Sequence, residues 1–225
     1  MFHTLDDSND ARRLAARRQM VENQLRRRGI RDERVLAAME QVPRHEFVPV
    51  QHVEAAYADG PLAIGQGQTI SQPFTVAFMS EALQLHGDEN VLEVGTGSGY
   101  GAAVLSRLAR RVHTIERHAN LAETARKRLT RLGYANVEVH VGDGTLGLPE
   151  FAPFEGIVVT AGADNLPPTY MLQLAEGGRI VIPIGPERTS QMMCRFTRRG
   201  NHFPCERLGH FAFVPLIGQH GWSED

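Results

Sequence analysis

Residues 90–102 read Asn90-Val91-Leu92-Glu93-Val94-Gly95-Thr96-Gly97-Ser98-Gly99-Tyr100-Gly101-Ala102, and this stretch decides the fold. A short apolar run ends on an acid. Glycines at every second position follow, and apolar residues then recur at Val104, Leu105 and Leu108. This pattern predicts a strand, a glycine-rich turn and a helix over 98–109. The same alternation continues downstream. Residues 112–115 predict a second strand ending at Glu116, and 121–132 a helix closed by Gly133. Val137–Val141 predicts a third strand, running into Gly142-Asp143-Gly144, and 156–160 a fourth. Residues 170–174 belong to a helix ended by Gly177-Gly178, and 179–184 form a fifth strand. Strands alternating with helices imply an α/β fold with a mostly parallel, doubly wound sheet and crossovers on both faces. The tail differs: 191–197, a turn at 198–201, then 208–216 predict an antiparallel pair at one edge.

Upstream, residues 10–28 predict an extended helix, with Leu14, Val21 and Leu25 on one stripe. Arg12, Arg13, Arg17, Arg18, Arg26, Arg27 and Arg28 cover its other faces, which reads as a solvated surface because no aromatic residues interleave for base stacking. Gly29 ends it. Asp32 is placed to cap a second helix carrying Val35, Leu36 and Met39, stopped by Pro43. Residues 43–74 are rich in turn signals, with 47–48 and 62–64 as possible strand pieces, and such irregular segments are often functional. A helix over 75–85, closed by Gly87, leads into the first strand. Residues 1–74 are thus expected to form N-terminal helices and a substrate-binding segment packed on a core of residues 75–225.

Composition narrows the chemistry. In 225 residues, 42% are apolar and 22% charged, which is globular usage. The net charge of -2 gives no drive toward nucleic acid or an anionic membrane, so neither is expected as a partner. Lys127 is the only lysine and has no glycine before it, which excludes a Walker phosphate loop. Cys194 and Cys205 are too few for a disulfide scaffold or a four-thiolate zinc site, so no metal is expected, and both read as ordinary buried residues. No apolar run reaches the roughly eighteen residues of a membrane span, and the acidic, polar start is unlike a signal peptide. A cytoplasmic monomer is the expectation.

In a doubly wound sheet, ligands bind beyond the carboxyl ends of the strands. Glu93, Glu116 and Asp143 stand there on consecutive strands. The glycines Gly95, Gly97 and Gly99 let the backbone approach a ligand closely. Gly97 to Ala102 also fits the GxGxxA of a dinucleotide site. Glu93, two residues before the glycines, would repel a pyrophosphate, and no lysine or arginine lies near in sequence to receive one. A cationic nucleoside, S-adenosylmethionine, fits better: Glu116 is placed to accept from the ribose hydroxyls and Asp143 from the adenine amino group. After the fourth strand, Leu166 and Thr169 break the [DN]PP[YF] pattern of amino-directed methylation. The polar loop at 64–73 offers hydroxyls at Thr69 and Ser71 and backbone N–H groups near Gly67, which suits a carboxylate acceptor. An ionised carboxylate needs no general base, so His45, His118 and His140 read as structural or surface residues.

The strings GQGQTISQP (65–73), VLEVGTGSGY (91–100), GDG (142–144) and FVPLIG (213–218) resemble the protein-L-isoaspartate O-methyltransferases. VPRHEFVP, AYADGPLAIG, APFEGIVVTAGA and QLAEGGRIVIPIG follow in family order, so the resemblance covers roughly residues 18–222. It implies a Rossmann-like class I methyltransferase fold with rearranged last strands. It also implies methyl transfer from S-adenosylmethionine to isoaspartyl residues of damaged proteins, whose esters collapse to a succinimide that partly reopens to aspartate. By the same resemblance, Ser71 is the active-site hydroxyl and Gly67, Gln68, Thr69 and Ile70 line the substrate site. Gln72, Pro73, Phe74, Glu93, Gly95, Thr96, Gly97, Glu116, Gly142, Asp143 and Gly144 fall at cofactor positions. Gly101 departs from the family pattern, which commonly has a larger polar residue there. An RNA or small-molecule methyltransferase, or a non-catalytic nucleoside-binding protein, are the alternatives; GQTISQP weighs against the first and the intact acid set against the second.

Overall fold

The computed structural model describes residues 4–187 and 190–224; Met1, Phe2, His3, Arg188, Thr189 and Asp225 of the expected segments lie outside it. Seven strands form one sheet. β3 (Asn90–Val94), β4 (Arg111–Glu116), β5 (Val137–Val141), β6 (Phe154–Val159) and β7 (Leu174–Glu187) run parallel, followed by antiparallel β8 (Ser190–Thr197) and β9 (Cys205–Phe211). The order is β5-β4-β3-β6-β7-β8-β9. The strand order therefore reverses between β3 and β6, where doubly wound sheets bind ligands. A separate two-stranded hairpin joins β1 (Leu62–Gly65) to β2 (Gln68–Ile70).

Both faces of the sheet are covered, as its near-continuous apolar strands demand. On one face Val91 and Val112 pack with Met20, Leu36, Phe47 and Tyr100, so the N-terminal segment completes that half of the core. On the other, Leu92, Val94 and Ile115 pack with Phe154, Ile157 and Tyr170. The crossovers are α4 (Tyr100–Leu105), α5 (Ala119–Arg131) and α6 (Pro168–Gln173), and α3 (Pro73–Leu83) precedes the sheet. No helix among the described residues is long and apolar enough to cross a membrane.

Several boundaries differ from the sequence reading. The first helix is α1 (Thr4–Met20), not one helix over 10–28; a wide turn at Val21–Leu25 and a tight one at Arg26–Arg28 follow before Gly29 closes in the left-handed region (φ 103°). The wide turn takes Met20, Val21 and Leu25 into the core together. Asp32 caps α2 (Glu33–Gln41) as expected, accepting from the N–H groups of Arg34 and Val35. Residues 47–48 are not a strand piece. Phe47 ends a tight helical turn, Arg44–Phe47, and its ring meets the edge of Tyr100 at 5.6 Å. The buried Arg44 organises this turn, donating to the Ala56 carbonyl at 2.8 Å with its guanidinium 4.9 Å from the Tyr100 ring centre. Gln84, at φ 52°, closes α3 in place of Gly87. Gly177 and Gly178 do not end a helix: α6 stops at Gln173 and the glycines are absorbed into β7, where its pairing with β6 shifts register. β9 stops at Phe211, so residues 212–216 leave the sheet instead of extending it. Cys194 is buried, but Cys205 is exposed, contrary to expectation.

Candidate active site at the switch point

A cavity of about 880 Å³ opens over the carboxyl ends of β3, β4 and β6. Its floor is the turn after β3. Gly95 and Gly97 have φ values of 97° and 51°, conformations that a side chain would strain. A Cβ at Gly95 would also strike the Thr160 hydroxyl, which donates to the carbonyls of Val94 and Gly95. Thr96 is buried below, hydrogen-bonded to Thr114 at 2.7 Å.

The two strand-end acids on this floor differ. Glu116 is clamped in place: one carboxylate oxygen accepts from the Gly97 N–H at 2.9 Å and the other from the His118 N–H at 3.0 Å. These bonds fix its orientation at the cavity surface, with lone pairs left to accept hydroxyl donors. Glu93 is 1% exposed and accepts only the Thr114 hydroxyl, at 2.6 Å. Burial pushes its carboxyl up to about 8; the Thr114 bond opposes this and the nearby Glu116 charge adds to it. Its second oxygen occupies the space that a Cβ at residue 101 would need. The departure at Gly101 therefore makes room for the Glu93 carboxylate.

Asp143 is engaged elsewhere. Its carboxylate accepts from the Thr145 N–H and hydroxyl at 2.9 and 2.6 Å and from the Gln219 N–H at 2.8 Å. Burial works against its ionisation, but these bonds outweigh it and hold its carboxyl below the ordinary value. It ties the C-terminal segment to the turn after β5 and stands outside the cavity lining, as do Gly142, Gly67 and Pro73, while Gly144 lines it.

The wall facing the floor is β2 with the loop after it. Gln68, Thr69, Ile70, Ser71, Gln72 and Phe74 all line the cavity. Ile70 is buried in the core cluster and anchors this wall. Gln72 donates to Asp59 at 2.7 Å, Arg28 pairs with the same carboxylate at 3.1 Å, and the Arg28 guanidinium lies 3.9 Å from the centre of the Phe74 ring.

Arg28 adds to the sequence reading. It stays exposed to solvent but also lines the wall, and with Arg117 it puts two guanidinium groups on a cavity expected to have none. Neither is an open phosphate site, since Asp59 neutralises Arg28 and Glu224 pairs with Arg117. His118 also lines the cavity, its Nε2 buried without a hydrogen-bond partner. The remaining wall comes from residues 210–217, which sequence reasoning left unassigned. They are stitched to the segment after β6, Gly162 donating to the Val214 carbonyl at 2.8 Å and Leu216 to the Gly162 carbonyl at 2.7 Å. FVPLIG was the only signal that could have found them.

The cavity therefore joins an acidic, glycine-floored nucleoside site to a polar loop within one space. The residues present suit S-adenosylmethionine: a fixed carboxylate for hydroxyl groups, a buried carboxyl able to face a cation, and close backbone approach at the glycines.

Residues 15–221 match the family described as protein-L-isoaspartate(D-aspartate) O-methyltransferase. The chain is 53% identical over 205 residues to the protein-L-isoaspartate O-methyltransferase of Protochlamydia amoebophila, covering 91% of this chain and 98% of that protein. It is 49% identical over 219 residues to that of Pelotomaculum thermopropionicum, covering 97% and 96%. Among solved structures, it is similar to a protein-L-isoaspartate O-methyltransferase at TM-score 0.81 and 33% identity, covering 91% of this chain and 67% of that one. It is also similar to a beta-aspartate methyltransferase from Plasmodium falciparum in complex with S-adenosyl-L-homocysteine, at TM-score 0.76 and 28% identity, covering 89% and 98%.

Proposed function

Because the chain belongs to the protein-L-isoaspartate O-methyltransferase family, we propose that it transfers a methyl group from S-adenosylmethionine to the α-carboxylate of L-isoaspartyl residues in damaged peptides and proteins. The ester then collapses to a succinimide, which begins repair. One observation carries this reading onto the molecule: the loop bearing Ser71 and the floor bearing Glu93 and Glu116 line the same cavity.

The cofactor supplies an electrophilic methyl group on a sulfonium, and everything else falls to the protein. Glu116, held by Gly97 and His118, accepts from the ribose hydroxyls. Glu93 faces the cationic methionine end, and the Gly95 to Gly97 backbone cradles it. Thr69 and Ser71, with the backbone from Gln68 to Ile70, hold the acceptor carboxylate, while Phe74 and the 210–217 segment close the space around it. An α-carboxyl with pKa about 3.5 is ionised at pH 7, so no base is required. Catalysis comes from holding carboxylate and methyl in line in a space that excludes water. For Asp143 the hydrogen bonds favour an indirect part, fixing the turn before Gly144 on the adenine side.

The test is methyl transfer from labelled S-adenosylmethionine to two peptides identical except for isoaspartyl or aspartyl linkage. Base-labile label on the isoaspartyl peptide alone is the expected result. Label on neither, with cofactor still bound, would refute it.

A further inference from the structure

His113, Glu138 and His140 lie on the edge strand β5 and its neighbour β4, in a cluster that the methyl-transfer reading does not use. His113 pairs in register with Glu138, and His140 stands two residues further along the same face of β5. Three atoms converge. His113 Nδ1 is 3.2 Å from His140 Nε2 and 3.4 Å from Glu138 Oε2, and the last two are 3.9 Å apart. Two ligands of a tetrahedral zinc ion at ~2.05 Å would be ~3.3 Å apart. The point equidistant from these three atoms lies about 2.0 Å from each, at zinc-ligand distance.

The ring orientations agree. The imidazole centroids are 5.4 Å apart with the nitrogens 3.2 Å apart, so the ring bodies flank the gap. Both nitrogens therefore lie on the facing sides of their rings, at the gap between them. A single cation in the gap would satisfy all three donor atoms at once. The surroundings hold the donors in place. Arg111 takes the other Glu138 oxygen, which leaves Oε2 turned to the imidazoles. Phe151 packs on both rings, at 4.3 and 4.8 Å between centroids. His113 is 1% exposed, so its ring is held in place by the surrounding packing.

We propose that His113 Nδ1, His140 Nε2 and Glu138 Oε2 bind a divalent cation of the zinc class, with water from the open side completing its shell. The site clips the edge strand β5 to β4. It lies on the sheet face opposite the Glu93–Thr114 pair, since His113 and Thr114 alternate along β4. It is therefore structural and takes no part in methyl transfer. The sequence alone does not group these side chains, because the histidines are 27 residues apart and only strand register brings them together.

The test uses the untagged full-length chain, stripped with a chelator and titrated with zinc chloride by calorimetry. The expected result is one ion per chain and a Tm that rises with zinc concentration. His140→Ala and Glu138→Gln should each weaken binding by roughly a hundredfold or more, with circular dichroism and S-adenosylhomocysteine affinity unchanged. Cobalt should bind without the charge-transfer absorption of a thiolate ligand. No zinc binding at micromolar concentrations, equal affinity in both variants, or binding lost in Cys194→Ser instead would each overturn the proposal.

Discussion

Replacing Glu93 with Gln should remove a pH dependence of stability from the ligand-free protein. Glu93 is buried and held at about 8, against an ordinary value of 4.5. Between those pH values the folded chain keeps a proton that the unfolded chain releases, so stability falls as pH rises. The slope is about 1.4 kcal/mol per pH unit, and the loss levels off above pH 8 near 5 kcal/mol. From pH 6 to 7.5 this amounts to about 2 kcal/mol. Gln keeps the shape and still accepts the Thr114 hydroxyl, but it has no proton to lose. Urea unfolding of wild type and Glu93→Gln at pH 6.0 and 7.5 isolates the effect, because every other titrating group is common to both. The wild type should lose about 2 kcal/mol more than the variant over that interval. Equal losses would refute the reasoning, since Glu93 would then titrate alike in both states. Binding of the cationic cofactor at pH 7 should also expel the Glu93 proton, making the calorimetric enthalpy depend on the buffer's ionisation heat.

Ser71→Ala should lower turnover of the isoaspartyl peptide while leaving S-adenosylhomocysteine affinity intact; unchanged turnover would remove Ser71 from the acceptor site. Glu116→Ala should weaken cofactor binding by roughly tenfold or more, through the lost acceptor and the freed Gly97 and His118 amides, and calorimetry would show otherwise if affinity held. Asp143→Ala should cost about 2 kcal/mol in urea unfolding, because it frees the Gln219 amide and the Thr145 donors. The Asp143 contribution is present above the ordinary carboxyl value and is lost as pH falls through its lowered one, so the two proteins should converge in acid.

The sequence by itself determined the α/β order, the switch-point turn and the two floor acids. These are local properties: alternation of apolar runs with helical periodicity, and glycines where φ must be positive. The loop that lines the cavity opposite this floor was legible through GQTISQP, which is contiguous. Tertiary structure decided what depends on distant segments meeting. Arg28 is one of many arginines on paper, and only the packing of the N-terminal turns on α3 sets it over Phe74 beside Asp59. Asp143 sits at a strand end like Glu93 and Glu116, yet its oxygens are taken by Thr145 and Gln219, the latter 76 residues away. Residues 212–216 looked like more strand. They leave the sheet because Gly162 pairs with Val214 and Leu216, which makes them a cavity wall. Hydrogen-bond partners far apart in the chain carry no sequence period, so folding alone could show where these side chains point.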